Sequence, residues 1–459
     1  IQLTMNQCEV IDCGPVTGEH PLITILNTGS SIKCYECNFT FRDQTRNHRV
    51  LDLNNNDATF DKCLFENCGE NTIYLSKNTN EQNPRGTFNF TNNRVISNEG
   101  KFINAMKIRN QPIITGNTFE RTTIQDSYYI EIIHNQELIE FNNNTFSDIT
   151  TSGTTESSGG GIASFIDYTN SEFTIKYIGC KFYDINNNHN TSPSYQGGAI
   201  EHGYSEGSNL NTHIEIVDCE FKRNKAKKHG GAVCIRTSKS ILINGCTFES
   251  NTANEESISS RLLFENYDNN KNNGFGGAIY LTASFNSNDQ DYYCSGITIT
   301  GCQFKDNKAY QGYAIYIEGD ECSTTFDIQN NEFNNNIGTN NHIDKAGIIC
   351  SEITSITKTY IIDNNNIFSN TETDPNIEHF IHVDHDGTRL ADATETPTPS
   401  PAQTPSESPL PSPTEDLSQV IVIDPGKLED GRYDREFNVT FPVQVEIKVT
   451  NFTNIDYTG

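Results

Sequence analysis

Two carboxylates and a guanidinium fall at one recurring position of this chain. The residue two after each of a series of phenylalanines reads Asp148, Asp184, Arg223, Ser250 and Asp306. If the units that carry them keep register, Asp148 and Asp184 stack and Arg223 follows one unit on. A carboxylate pair so placed shares a cation or divides the acid and base roles of glycoside hydrolysis, often beside an Arg. An Asp turn cap and an ion-paired surface ladder use the same residues for structure alone. No pectinase-like Asp-Asp or His-Gly signature stands in the right order. The expectation is therefore a chain that is not an enzyme, with a polysaccharide-active site as the remote alternative.

Other reactive residues carry less. His379, His382 and His385 are spaced by three, and on a strand they alternate faces instead of converging on a metal. No metal or cofactor is expected. The basic run Lys222 to His229 could bind sulfated or sialylated glycans or an acidic neighbour, but reads first as a solvated turn. Fourteen cysteines include the close pairs Cys8/Cys13, Cys34/Cys37 and Cys63/Cys68. Disulfides there would protect an exposed end of the chain's architecture. Cys180, Cys219 and Cys246 read as buried thiols acting as small hydrophobes, because stacked side chains point in parallel and bridge poorly. Zinc-finger spacing is absent.

The elements that must position these residues repeat. The site two before each phenylalanine holds Cys37, Cys63, Asn93, Asn117, Asn144, Cys180, Cys219, Cys246, Cys302, Asn331 and Asn366, with Val95 replacing Phe in the third unit. F-x-x-N recurs at Phe221, Phe248, Phe304 and Phe333, and G-G-A-[IV] at Gly197, Gly230 and Gly276, with G-Y-A-I at Gly312. A repeat near 30 residues calls for a solenoid. Approaches such as H-I-E-I-V-D-C (213–219) alternate with period two, and nothing between them reads as an amphipathic helix. The predicted fold is all-β: a right-handed parallel β-helix of about eleven coils over 1–393. In it, phenylalanines stack in the core, asparagines satisfy turn backbone, and the double glycine allows a positive-φ turn with Ala packed inward.

Composition agrees. Only 34% of residues are hydrophobic and the formal net charge is −28. A solenoid tolerates the first, since each coil buries only a thin row against its neighbours. The second disfavours nucleic acid and anionic membranes as partners. There is no apolar run long enough to span a bilayer and no recognisable signal peptide, so a chain beginning at Ile1 reads as a mature or trimmed product.

A secreted or cell-surface location is expected from six N-x-[ST] sequons at Asn38, Asn89, Asn143, Asn190, Asn438 and Asn451. Alternation places Asn38 and Asn89 outward. Residues 394–416 form a Pro/Ser/Thr-rich extended spacer with O-glycosylation expected at Thr396, Thr398, Ser400 and Thr404. Residues 417–459 form a short β segment, in which Phe437, Val439, Phe441, Val443, Val445, Ile447 and Val449 alternate with polar residues. So few strands do not make a self-sufficient sheet, and a strand on a tether is how augmentation assemblies join subunits head to tail. Extra sequence follows Phe146, Phe182 and Phe248, and Arg261 to Phe264 is its apolar cluster. Loops gathered on one face are the expected place for contacts with a partner.

F-x-x-N with G-G-A-[ILV] over roughly residues 30–390 resembles the repeat signature of the chlamydial polymorphic outer-membrane proteins and of the Pmp-like surface proteins of trichomonad protists. The spacer and sequons are closer in character to the protist type. The resemblance implies a right-handed parallel β-helix at a cell surface with adhesive roles. No autotransporter barrel and no membrane anchor occur in these residues. The combined expectation is an extracellular structural glycoprotein that self-associates into a fibre or coat through its C-terminal strand. An adhesin ectodomain binding a host protein or glycan is the alternative.

Overall fold

The structure, a computed structural model, describes most of residues 2–389 and then residues 419–422 and 445–448. Connecting stretches such as 12–22, 42–49, 77–86, 153–162, 189–196, 203–211, 254–273, 339–348 and 370–380 lie outside the described residues, as do 390–418, 423–444 and 449–459. Among the described residues there is no helix; strands stack in parallel as a solenoid.

Three sheets run along the stack. The first has twelve parallel strands, from Gln2–Asn6 through Ser31–Tyr35 to Tyr360–Ile362. Its register keeps equivalent residues aligned, as in Tyr177, Ile216 and Ile243 on successive strands. The period-two approach residues supply it: in Thr212–Val217, Ile214 and Ile216 are buried between half-exposed neighbours. The second sheet carries the phenylalanines, Phe182 facing Phe221, then Phe248, Phe304 and Phe333. The third divides into six parallel strands from Ile23–Ile25 to Ala163–Asp167 and a run from Ile200–His202 onward, which ends in the antiparallel pair Ile381–His385 and Thr388–Arg389.

The first strand of the first sheet lies ahead of the units counted from sequence. Gln2–Asn6 leads into Cys8 and Val10, and Val10 faces Phe39. These residues keep the spacing of the counted units, with Val10 in the phenylalanine row as Val95 is in the third of them.

Two tight corners per unit explain the Cys/Asn ruler. The residue just before it is left-handed along the stack: Gln7, Glu36, Lys62, Asn92, Asn143, Asp218 and Asn330 have φ of 51–56°, and Gly116, Gly179, Gly245 and Gly301 of 59–68°. After such a turn the ruler N–H points along the stack, where no strand neighbour accepts it. The next unit's asparagine does. Asn93 N–H donates to Asn117 Oδ1 (2.9 Å), while Asn93 Nδ2 donates to Phe60 O (3.0 Å) and Asn117 Oδ1 (3.1 Å). Cysteine does the same work more weakly, since its sulfur accepts and its S–H donates. Cys219 N–H meets Cys246 Sγ (3.4 Å), and Cys219 Sγ reaches Tyr177 O (3.4 Å) and Val217 O (3.3 Å).

The second corner, two after the phenylalanine, is left-handed as well, at Asp148, Asp184, Arg223, Ser250, Asp306 and Asn335 (φ 51–58°). The F-x-x-N asparagines close it: Asn251 Nδ2 bonds Phe221 O (3.0 Å) and Asn307 Oδ1 (3.0 Å). The double glycine does two separate jobs. Gly230, Gly276 and Gly312 take positive φ (58–70°). The second glycine allows close approach, for a Cβ on Gly231 would sit 2.1 Å from Gly277 O. The inward Ala199, Ala232, Ala278 and Ala314 are fully buried, as expected.

Candidate functional site: the outer ladder

The left-handed second corner turns Asp184 and Arg223 outward on adjacent units, where they meet as a bidentate pair. Arg223 Nε lies 2.7 Å from Asp184 Oδ1, and Nη2 lies 2.6 Å from Oδ2. The Asp184 carboxylate, with lesser help from Glu249 and Asp148, raises the Arg223 pKa above its ordinary value. Asp148 is exposed at the same corner one unit earlier. Asp306 continues the row and accepts from Asn335 Nδ2 (2.6 Å). The arrangement does what a surface ladder does, neutralising like-charged neighbours from one unit to the next.

The basic run is absorbed in the same way. Lys222 sits 3.4 Å from Glu220 and 3.6 Å from Glu249, and Lys305 lies 3.4 Å from Glu249. Glu220 also accepts from the Tyr183 hydroxyl (2.5 Å), which with Lys222 and Lys181 holds its carboxyl below the usual range. The run combines an exposed corner at Arg223 with strand on either side of it. Glu220–Lys222 and Lys225–Ala226 are strands, and His229 is buried, stacked 5.1 Å from the Phe275 ring and 4.8 Å from that of Tyr280.

The cysteines correct another expectation. Cys34, Cys37, Cys63 and Cys68 are free. Cys63 and Cys68 occupy opposite corners of one unit, each turned to carbonyls: Cys63 Sγ to Cys34 O (3.4 Å), Cys68 Sγ to Glu66 O (3.9 Å). That width keeps them apart. Cys34 and Cys37 flank one corner and are both buried, but they too are unbridged. Burial pushes the Cys34 and Cys68 thiols up, and Cys63 to about 12. Cys13 lies outside the described residues. Cys180, Cys219 and Cys246 are buried free thiols, the reading their stacked positions favour.

No family model, curated protein or solved structure matches this sequence.

Of the sequons, Asn38 and Asn89 sit half-exposed in the strands Asn38–Thr40 and Phe88–Thr91, and Asn143 is exposed at a first corner. Asn190, Asn438, Asn451, Thr396, Thr398, Ser400 and Thr404 lie outside the described residues, as do the three long loops with Arg261 to Phe264. Of the histidines, His382 faces Cys350 across the third sheet and His385 pairs with Thr388 at the hairpin, whereas His379 is not described. Among the described residues no group of three His, Cys, Asp or Glu could hold a metal ion, and no helix is long and apolar enough to cross a membrane. In the C-terminal segment, Val445 and Ile447 belong to the strand Val445–Lys448, which pairs in parallel with Gln419–Val422 of the same chain. Phe437, Val439, Phe441, Val443 and Val449 lie outside the described residues.

One buried titratable group escaped the sequence reading. His202 lies on the strand after Gly197-Gly198-Ala199, aligned with Ile235, and burial pushes its pKa down to about 4. The signal was a His two residues beyond a G-G-A-I run, at a position that other units fill with Ile or Leu.

Proposed function

We propose that this chain is a non-enzymatic extracellular structural glycoprotein, a right-handed β-helix of eleven or twelve coils that polymerises head to tail into a fibre or surface coat. One observation carries the reading: beyond the Pro/Ser/Thr-rich stretch the chain again forms a strand, Val445–Lys448, in a two-stranded sheet that pairs with none of the solenoid sheets among the described residues. The outward charges of the described ladder pair with one another instead of converging on a substrate. Glycans on Asn38, Asn89 and Asn143 and on the spacer fit a secreted or cell-surface setting, with no nucleic-acid partner and no membrane insertion by these residues. Sedimentation of the full chain against one ending at Asp416 tests this. Concentration-dependent polymer from the full chain alone supports it, and equal monomers from both contradict it.

The resemblance of the F-x-x-N and G-G-A-[ILV] repeats to Pmp-like surface proteins favours a second reading, an adhesin ectodomain binding a host protein or glycan. Saturable binding by the monomer distinguishes it. Cleavage of an acidic polysaccharide, lost in Asp184→Asn, would instead revive the enzyme reading.

A further inference from the structure

Three units of the first sheet bring a serine, an imidazole and a carboxylate into one line on its outer face. His213 and Ser240 face each other on the neighbouring strands Thr212–Val217 and Ser240–Asn244. Main-chain bonds just before them fix that spacing: Lys239 N–H donates to Thr212 O (2.7 Å), and Ser295 N–H donates to Lys239 O (2.6 Å). Glu172 stands one unit earlier, two residues before Thr174, which faces His213 from the other side. Alternation along a strand puts Glu172 outside, as it does His213 and Ser240.

His213 Nδ1 lies 2.6 Å from Ser240 Oγ, and its Nε2 lies 3.1 Å from Glu172 Oε1. A carboxylate only accepts, so in the neutral imidazole the proton sits on Nε2 and points at Glu172. Nδ1 is then the bare nitrogen, and the serine hydroxyl donates to it. A hydroxyl on a base that a carboxylate orients is the arrangement of an activated serine, recognised by geometry and not by position in the chain. Lys239 Nζ meets the same Glu172 oxygen, so the row carries no net charge that would repel an oxyanion. On its other flank Ser240 faces Gly296. The hydroxyl thus has imidazole on one side and bare main chain on the other, a seat for a small acyl group. Ser240 and His213 are half-buried and Glu172 is exposed. The chain's formal net charge of −28 disfavours an anionic substrate.

We infer that Ser240 is an activated nucleophile, with His213 as its base and Glu172 orienting the imidazole, and that this site hydrolyses short, uncharged carboxylic esters. The inference goes beyond the structural reading by giving the chain a reaction of its own, and it does not depend on assembly. Ser240 Oγ attacks the ester carbonyl carbon as its proton passes to His213 Nδ1. The tetrahedral adduct collapses, the bond to the alkoxy oxygen breaks, and that oxygen leaves as the alcohol with the proton from His213. Water then attacks the acyl-serine and gives a proton to Nδ1. The bond from Oγ to the acyl carbon breaks, Oγ takes that proton back, and the acid departs. One ester and one water yield one acid and one alcohol.

The full-length chain, labelled with a fluorophosphonate probe for peptide mass spectrometry and assayed with p-nitrophenyl acetate, provides the test. The expected result is label on Ser240 together with ester turnover. Ser240→Ala should abolish the label and lower turnover about a hundredfold or more, and His213→Gln should slow labelling of Ser240 to a similar degree. Glu172→Gln should lower kcat about tenfold at unchanged KM, with part of the loss recovered in Glu172→Asp. These side chains lie on the outer face, so thermal melts of the variants should overlay that of the parent. Absence of label on Ser240 in the folded parent chain would overturn the inference. Turnover that survives Ser240→Ala, or labelling that His213→Gln leaves unchanged, would overturn it equally. None of these outcomes bears on head-to-tail assembly, which sedimentation tests separately.

Discussion

Between Phe182 and Phe333 the second-sheet rings stack face to face, centroids 4.8–4.9 Å apart and planes within 3–6°. Between Phe60 and Tyr129 the geometry is mixed: Phe65–Phe102 (78°), Phe102–Phe119 (71°) and Phe119–Tyr129 (85°) meet edge to face, while Phe88–Phe90 (12°) and Phe90–Phe119 (19°) stack. The difference follows from what the other two sheets put inside. In the early stretch the first sheet contributes Phe60, Phe88 and Phe90, and Phe102 and Tyr129 lie at the entry to third-sheet strands; rings arriving from several sides pack as a herringbone. In the later stretch those places hold Ile216, Ile243 and Ile299, and the double glycines draw successive corners together around Ala232 and Ala278. One second-sheet ring per unit is left to stack there, while Tyr280 and Tyr316 stack in a separate buried cluster. The paired F-x-x-N and G-G-A-[IV] signatures recur together because close glycine corners and a single-file ring stack belong to one packing solution.

The largest break in this contrast should come from Gly231→Val. Its Cβ would meet Gly277 O at 2.1 Å and Thr252 N at 2.6 Å, both backbone. A loss of about 5 kcal/mol or failure to fold is expected by chemical denaturation. Asn251→Ala comes next. It strips Phe221 O of a donor and Asn224 N–H of an acceptor, and should cost about 3 kcal/mol.

His202 offers a pH-dependent test of the later stretch. Its folded pKa is near 4 against an ordinary 6.5. Between those values the unfolded chain binds a proton that the folded chain refuses. Stability therefore falls as pH drops from 6.5 through 4, by about 3 kcal/mol at the limit, and is unaffected by this group above 6.5. The slope of stability against pH should be shallower in His202→Leu than in the parent. The smallest effect belongs to Asp184→Asn. The pair is exposed, so a loss under about 1 kcal/mol, shrinking further in high salt, is expected in thermal melts.

Much of the solenoid was legible because its corners impose residue types. The ruler position accepts only side chains with a donor and acceptor close to Cβ, so Asn117 and Cys219 mark the same corner visibly. Val10 and Val95 both occupy the phenylalanine row, so that row is set by an inward apolar side chain and not by Phe alone. The left-handed corners were hidden for a different reason. Lys62, Arg121 and Arg223 hold positive φ without being Gly or Asn, so no local propensity marks them and only the stack enforces them. Asp148, Asp184 and Arg223 were found as a row, but sequence could not tell a reactive pair from an ion-paired one. That depends on the Arg223 fork closing on Asp184. The expected bridges failed because spacing along the chain says nothing of which corner a cysteine occupies, as Cys63 and Cys68 show.

Electron microscopy of the material from its natural source, beside a chain ending at Asp416, tests the central claim most directly. Twelve strands at about 4.8 Å spacing give an expected axial repeat of at least about 58 Å in filaments of the native material, with only isolated rods from the shortened chain. Isolated rods from both would contradict head-to-tail assembly.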